Sequence, residues 1–157
     1  MPRLIFAATF ILLAPLTVQA DIQPQSGTWA SAVEFVDQTG CPPQMVAQMQ
    51  ANVAGGHVGP ITFPEPFDPV ALQGADIQFT WTKLDENVWQ GVFSDVSDSG
   101  MGDIIAVSKS VVTVVDPTHI EQDAEMNVTL PEAMAKMAGM ASSTCVVRSK
   151  VFHARQP

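Results

Sequence analysis

Apolar and polar residues alternate with a period of two along much of the chain, which is the pattern of half-buried β-strands. The clearest alternations cover residues 27–36, 77–82 and 120–130, and further strands are expected at 88–96, at 104–115, which is rich in valine and isoleucine, and at 143–152. Turn sequences such as Asp116-Pro117-Thr118 separate them. Six or seven antiparallel strands joined mostly by short turns are therefore expected.

Two segments follow a helical period instead. After Pro42 and Pro43, which suit the first turn of a helix, apolar residues recur at helical spacing through residue 53. A shorter helix or turn is expected from Pro131 to Met140. Residues 57–69 hold four prolines and predict a surface loop with a short edge strand at 61–63.

The expected fold class is mainly β, an antiparallel meander that curls into a barrel or half-barrel, with one short helix after the first strand. The alternative architecture is α+β, in which the sheet wraps around the helix of residues 42–53. Neither a repeat nor a low-complexity tract divides the chain, so residues 21–157 are expected to form a single domain.

The amino terminus has the order of a secretory signal. Arg3 is followed by an apolar stretch from Leu4 to Ala14, and then by the small-residue ending Val18-Gln19-Ala20. This stretch is about half of the roughly 20 residues that span a bilayer. We therefore expect a signal peptide over residues 1–20, and a soluble mature protein that is periplasmic or secreted, without a membrane anchor.

Charge and cysteine content narrow the functional classes. The formal net charge is −9, and removal of Arg3 makes it one unit more negative, so nucleic acid is excluded as a partner. The chain has two cysteines, Cys41 and Cys145, and an exported chain most simply pairs them in a disulfide. A reactive or metal-binding thiol is the alternative.

The chain resembles an uncharacterised family of small exported bacterial proteins. That family has a signal peptide, a G-x-W near the mature start, one early cysteine and one late cysteine. The corresponding residues here are Gly27-Thr28-Trp29, Cys41 and Cys145. The resemblance implies export but no activity, so it transfers no functional residue.

Catalytic signatures are absent from the sequence. It has no G-x-S-x-G, no phosphate-binding glycine loop, no H-E-x-x-H and no EF-hand. His57 and His119 are interpreted as loop and turn residues. Three aspartates near a glycine-containing turn are interpreted as turn formers, with calcium as the alternative: Asp95, Asp98 and Asp103.

A methionine series is the most specific candidate for metal binding. Met134, Met137 and Met140 recur every third residue, and thioether sulfur is a soft ligand suited to Cu(I). The same spacing also makes one apolar stripe on a short helix, which favours core packing. Handling of Cu(I) is the second functional hypothesis, and no resident cofactor is expected.

Aromatic residues support the leading hypothesis. In a curled sheet, Trp29, Phe79 and Trp81 could line an apolar cavity, although a small barrel could also be filled by them. The sequence thus favours a non-catalytic exported domain that binds a small apolar ligand or a partner such as an envelope protein. An enzyme whose residues converge from separate strands is the third hypothesis.

A stripe of charge runs along one predicted strand. Glu121, Asp123 and Glu125 share a face that should be exposed to solvent, and Arg148 and Lys150 share a face of the last strand. If these two strands are neighbours, the five charges form a cross-strand ladder. The alternative is that the acidic stripe recognises a basic partner.

Overall fold

The protein is built around one antiparallel sheet of seven strands, as seen in a computed structural model that describes residues 21–74 and 77–157. The predicted signal, residues 1–20, lies outside the described residues. The strands are β1 (Gly27–Thr39), β2 (His57–Ile61), β3 (Thr80–Asp85), β4 (Val88–Asp98), β5 (Asp103–Asp116), β6 (His119–Thr129) and β7 (Thr144–Arg155). The helices are α1 (Pro43–Val53), α2 (Glu132–Met137) and a 3-10 turn over Pro69–Leu72.

The strand order confirms a mainly β fold. Strands β3 to β7 are neighbours in sequence order and form a meander. Strand β1 then pairs with β7, and β2 pairs with the outer side of β1, so the order is β2-β1-β7-β6-β5-β4-β3. The short helix after the first strand is also confirmed, because α1 follows β1 directly.

The sheet is not closed into a barrel, so the closed-barrel prediction is wrong. Strands β2 and β3 lie at opposite edges, and no ladder joins them within residues 21–74 and 77–157. Aromatic side chains of the intervening loop connect β1 to β4 instead. The ring of Phe63 lies 5.2 Å from Trp29, and the ring of Phe67 lies 5.6 Å from Phe63 and 4.9 Å from Trp89. Edge-on and tilted ring packing therefore connects β1 to β4, although the edge strands are not paired.

Two strands begin away from their predicted positions. Strand β2 spans His57–Ile61 rather than 61–63, because pairing with β1 recruits residues of low β propensity and an edge strand tolerates Pro60. Strand β3 begins at Thr80 rather than at residue 77. The backbone N–H of Phe79 donates to the side chain of Gln73 (3.2 Å) instead of continuing the ladder.

The hairpin of β3 and β4 depends on two special positions. Asn87 in the turn has a φ of 59°, a left-handed conformation that asparagine tolerates better than most residues. Gly91 of β4 lies opposite Trp81, and a Cβ at this position would come within 2.8 Å of the indole ring. The glycine therefore allows Trp81 to lie flat against the sheet.

The two faces of the sheet differ in chemistry. The core face carries the buried residues Trp29, Trp89, Val112, Val114 and Ile120, which pack with Phe63 and Phe67. The charged face carries the alternate residues of the same strands. The register of β6 against β7 pairs Asp123 with Lys150 and Glu125 with Arg148.

The cross-strand charge ladder is confirmed for four of its five charges, whereas Glu121 lies opposite Phe152 and contacts His119 of its own strand (3.4 Å). Arg148 donates to Glu125 (2.7 Å) and contacts Asp37 of β1 (3.2 Å), and Lys150 lies 3.4 Å from Asp123. Hydrogen bonds from the side chains of Asn127 and Arg148 lower the pKa of Glu125. Since Asp123 and Glu125 already have cationic partners in the protein, the structure favours a role in strand register over recognition of a basic partner.

Replacing Glu121, Asp123 and Glu125 together by glutamine is expected to leave the fold intact, with a urea midpoint close to that of the wild type. The reason is that exposed ion pairs in water contribute little and are screened by salt. Urea unfolding at low and high ionic strength measures this. A loss of stability as large as that of a core substitution would contradict the assignment of these side chains to the solvent face.

Candidate functional site

An apolar groove of about 300 Å³ lies on the core face of the sheet, beyond the aromatic cluster. Four strands, α1 and the segment before β3 contribute to its wall. The residues that line it are mainly apolar, with two serines and two charged residues: Val33, Phe35, Met49, Phe79, Ala124, Met126, Val147, Val151, Ser108, Ser149, Lys109 and Glu125.

The strand register places the floor of the groove. Val33 lies opposite Val151, and Ser149 lies between Phe35 and Ala124 in neighbouring strands. Because opposite residues of an antiparallel pair share a face, these side chains all project to the core face. The period of two that defines the strands therefore also defines the floor.

The predicted disulfide is confirmed, and it positions one side of the groove. Cys41 and Cys145 are bonded, with their Cα atoms 4.5 Å apart. Cys41 directly precedes α1, and Cys145 is buried in β7. The covalent link thus holds the start of α1 against β7, and Met49 of the same helix lines the groove.

Phe79 forms the opposite side and is one of three residues predicted to bind a ligand. Its ring packs 5.4 Å from Trp81 and 6.1 Å from Phe93. Trp81 is adjacent but faces a second, more open depression. Trp29 is only 1% exposed, and its indole N–H donates to the carbonyl of Gln25 (3.0 Å). The structure therefore brings Phe79 and Trp81 together and places Trp29 in the core.

The second depression is larger and more polar. It measures about 470 Å³ and is lined by Trp81, Lys83, Trp89 and the proline-rich residues 64–69. The ammonium of Lys83 lies 5.6 Å from the centre of the Trp89 ring and is ion-paired with Asp21. Its cation is therefore already engaged within the protein.

A buried polar chain crosses the core face beside the groove. The side-chain amide of Gln122 donates to the hydroxyl of Ser110 (2.8 Å). The carbonyl oxygen of the same Gln122 amide then lies 3.2 Å from Nε2 of His153. This arrangement assigns the proton of the imidazole to Nε2. Nδ1 of His153 then accepts the hydroxyl hydrogen of Ser31 (2.8 Å).

The contact between Ser31 and His153 has the form of a nucleophile and its base, but its setting favours a structural role. His153 is 6% exposed, and burial, with a smaller effect of His119, lowers its pKa to about 4. A base this weak is poorly matched to proton transfer near neutral pH. We therefore interpret this hydrogen-bonded row of side chains as structural, because its members supply one another with hydrogen-bond partners within an apolar face.

The two metal hypotheses concern different parts of the chain. Within residues 21–74 and 77–157, no group of three His, Cys, Asp or Glu side chains is arranged to hold a metal ion. Calcium binding by Asp95, Asp98 and Asp103 gains no support from their arrangement and stays an untested alternative. Asp98 instead accepts the backbone N–H of Gly100 (2.8 Å), as expected of a turn former.

The methionine series lies at the second helix. Met134 is half-buried in α2, Met137 ends that helix and is 71% exposed, and Met140 follows it and is half-buried. The side chains therefore differ in exposure rather than forming one buried stripe. Binding of Cu(I) by this series stays a prediction.

Several residues of the site were not singled out from the sequence. Met49 belongs to the predicted helix of residues 42–53 without being named as a site residue, and the sequence does not connect Ser31 with His153. For Ser31 and His153 the only sequence signal is the period of two, which indicates the face of the sheet to which a side chain projects but not the residue beside it. The pairing of β1 with β7 brings Ser31 to His153.

None of the described helices is long and apolar enough to cross a membrane. Comparison of the chain with protein-family models, with curated proteins and with solved structures found no match.

Proposed function

We propose that this protein is a non-catalytic exported domain that binds a small apolar ligand in the apolar groove. The observation that carries the proposal is the groove itself, a space of about 300 Å³ whose wall is mainly valine, methionine and phenylalanine. Binding of an apolar molecule to such a wall is favourable, because it removes apolar surface from water.

The size of the groove limits the ligand. A volume of about 300 Å³ lies at the lower end of small-molecule sites. At the volume per heavy atom of liquid water, about 30 Å³, it accommodates roughly ten non-hydrogen atoms. The hydroxyls of Ser108 and Ser149 can exchange hydrogen bonds with one polar group. The expected ligand is therefore a short alkyl or aromatic compound with one uncharged polar group.

Curvature of the sheet into a half-barrel is part of this proposal. Neighbouring strands lie about 4.8 Å apart, so side chains of β1 and of the segment before β3 would be separated by more than 20 Å on a flat sheet. Phe35 of β1 and Phe79 nevertheless line one small cavity. Contacts from Trp29 through the loop to Trp89 support the same curvature.

We place the mature protein in the periplasm or outside the cell. The proposal rests on the signal-like sequence of residues 1–20, and the Cys41–Cys145 disulfide is compatible with an oxidising compartment.

The groove is expected to bind 1-aminonaphthalene, a neutral aromatic fluorophore of the size that the groove accommodates, with an increase in its emission. Replacement of Ala124 by phenylalanine fills the groove and should weaken binding about tenfold, which corresponds to a loss of about 1.4 kcal/mol. Fluorescence titration measures the affinity. Native mass spectrometry of protein purified from its own host identifies a ligand that is retained.

The matched control is Ala32→Phe. Ala32 is exposed on β1 opposite Phe152 of β7, on the charged face, so the same change in size leaves the groove open. Equal affinity of the probe for Ala124→Phe and Ala32→Phe would show that binding does not take place in the groove and would overturn the proposal. Circular dichroism verifies that both variants are folded.

A further inference from the structure

Part of the sheet edge at β4 is open. Strand β3 pairs with β4 only as far as Thr80 and Val92, whereas β4 continues to Asp98 and pairs there with β5 alone. All five residues from 94 to 98 are exposed. In the described part of the chain, no further strand lies along their outer side. An uncovered strand edge presents backbone N–H and C=O groups that can pair with another chain.

The other edges carry features that hinder such pairing. Strand β2 contains Pro60, which lacks an N–H group. The free part of β1 is interrupted by a bulge between Phe35 and Asp37, and β3 is interrupted between Lys83 and Asp85. The register of residues 94–98 with β5 is regular, and these residues contain no proline. They are the edge best suited to receive another strand.

The side chains of this edge indicate the chemistry of the partner. Val96 is 58% exposed and would contact an apolar residue of an added strand. Asp95 and Asp98 lie on the same segment, and Asp103 faces Asp98 across the turn. In the described residues, none of these three carboxylates has a cation within salt-bridge distance. A strand with lysine or arginine would therefore be attracted to this edge.

A second copy of this chain is a poor occupant by the same reasoning. Pairing of two such edges would bring both copies of Asp95, Asp98 and Asp103 together, and like charges oppose association. The aspartates thus hinder self-association and leave the edge accessible to a cationic strand.

We propose that residues 94–98 of β4 accept an extended, cationic segment of a partner protein as an additional β-strand. The backbone of the edge would supply hydrogen bonds, and Val96 and the aspartates would select the partner, which is the general mode of strand addition. This interaction surface is separate from the apolar groove, because none of its residues lines that cavity.

The test uses a capped nine-residue peptide in which lysine and valine alternate. We expect it to bind and to slow hydrogen exchange of the backbone amides within residues 94–98, as measured by NMR. Two further peptides carry N-methyl groups, one on every lysine and the other on every valine. Because a strand pairs through the N–H groups of alternate residues, only one of the two methylated peptides should lose affinity.

Variants of the protein test the role of charge. Asp95→Asn with Asp98→Asn should weaken binding of the peptide about fivefold. Glu34→Gln with Glu65→Gln removes the same charge from exposed positions elsewhere and should leave the affinity unchanged. The proposal is overturned if the peptide does not bind, if both methylated peptides bind as well as the parent, or if the protected amides lie outside β4.

Discussion

Reduction of the Cys41–Cys145 disulfide is expected to lower the free energy of unfolding by roughly 2 to 5 kcal/mol. The bridge joins residues 104 positions apart, and the chain-entropy argument gives about 4.7 kcal/mol for a loop of about this length. In this argument the bridge acts on the unfolded chain, whose freedom it restricts over residues 41–145. Urea unfolding with and without dithiothreitol measures the difference.

The double variant Cys41→Ala with Cys145→Ala is the matched control. It should have the lowered stability of the reduced protein and should not respond to dithiothreitol. Thiol titration of the unfolded wild type should detect no free thiol before reduction and two afterwards. Equal urea midpoints of the oxidised and reduced wild type would refute the stabilising role of the bridge.

Acidification from pH 7 to pH 4 is expected to remove about 3 kcal/mol of stability through His153 alone. Its pKa falls from an ordinary value of 6.5 to about 4 in the folded protein, mainly because of burial. Below pH 6.5 the unfolded chain therefore binds a proton at this histidine, whereas the folded protein does so only near pH 4. The stabilisation is complete above about pH 6.5 and is lost as the pH falls toward 4, at about 1.36 kcal/mol for each unit of pKa.

The variant His153→Gln isolates this contribution, because carboxylates also titrate in the same range. The stability difference between wild type and variant should shift by about 3 kcal/mol, in favour of the variant, from pH 7 to pH 4. His57→Gln changes an exposed histidine and should keep the pH dependence of the wild type. An NMR titration of the His153 ring with a midpoint near 6.5 would disprove the assignment.

Local patterns predicted the elements of this protein well. The helix after Pro42 and the strands β4 to β7 follow from periodicity, because a period of two or of 3.6 is a property of neighbouring residues. The charge ladder was predictable for the same reason. Once β6 and β7 are neighbours, alternation places the acidic residues of β6 and the basic residues of β7 on one face, and the strand register then sets Glu125 opposite Arg148. The disulfide followed from the presence of only two cysteines.

The candidate site was less predictable, as Trp29 illustrates. Its alternation with neighbouring residues assigned it correctly to the apolar face, but a cavity wall and a packed core have the same pattern. The loop that contains Phe63 and Phe67 decides between them, since its rings cover Trp29. Phe79 has the same pattern but lines the groove. Its backbone N–H donates to the side chain of Gln73 and not to a neighbouring strand.

The sequence by itself determined most of the secondary structure, the face to which most strand residues project, the cysteine pair and the acidic character of the chain. Each of these follows from composition or from residues close together in the chain. Only the tertiary structure decided that β1 lies beside β7, that the sheet stays open, and that Ser31 meets His153. The physical reason is that these features depend on contacts between segments far apart in sequence, whose free energies come from packing and pairing that no local pattern records.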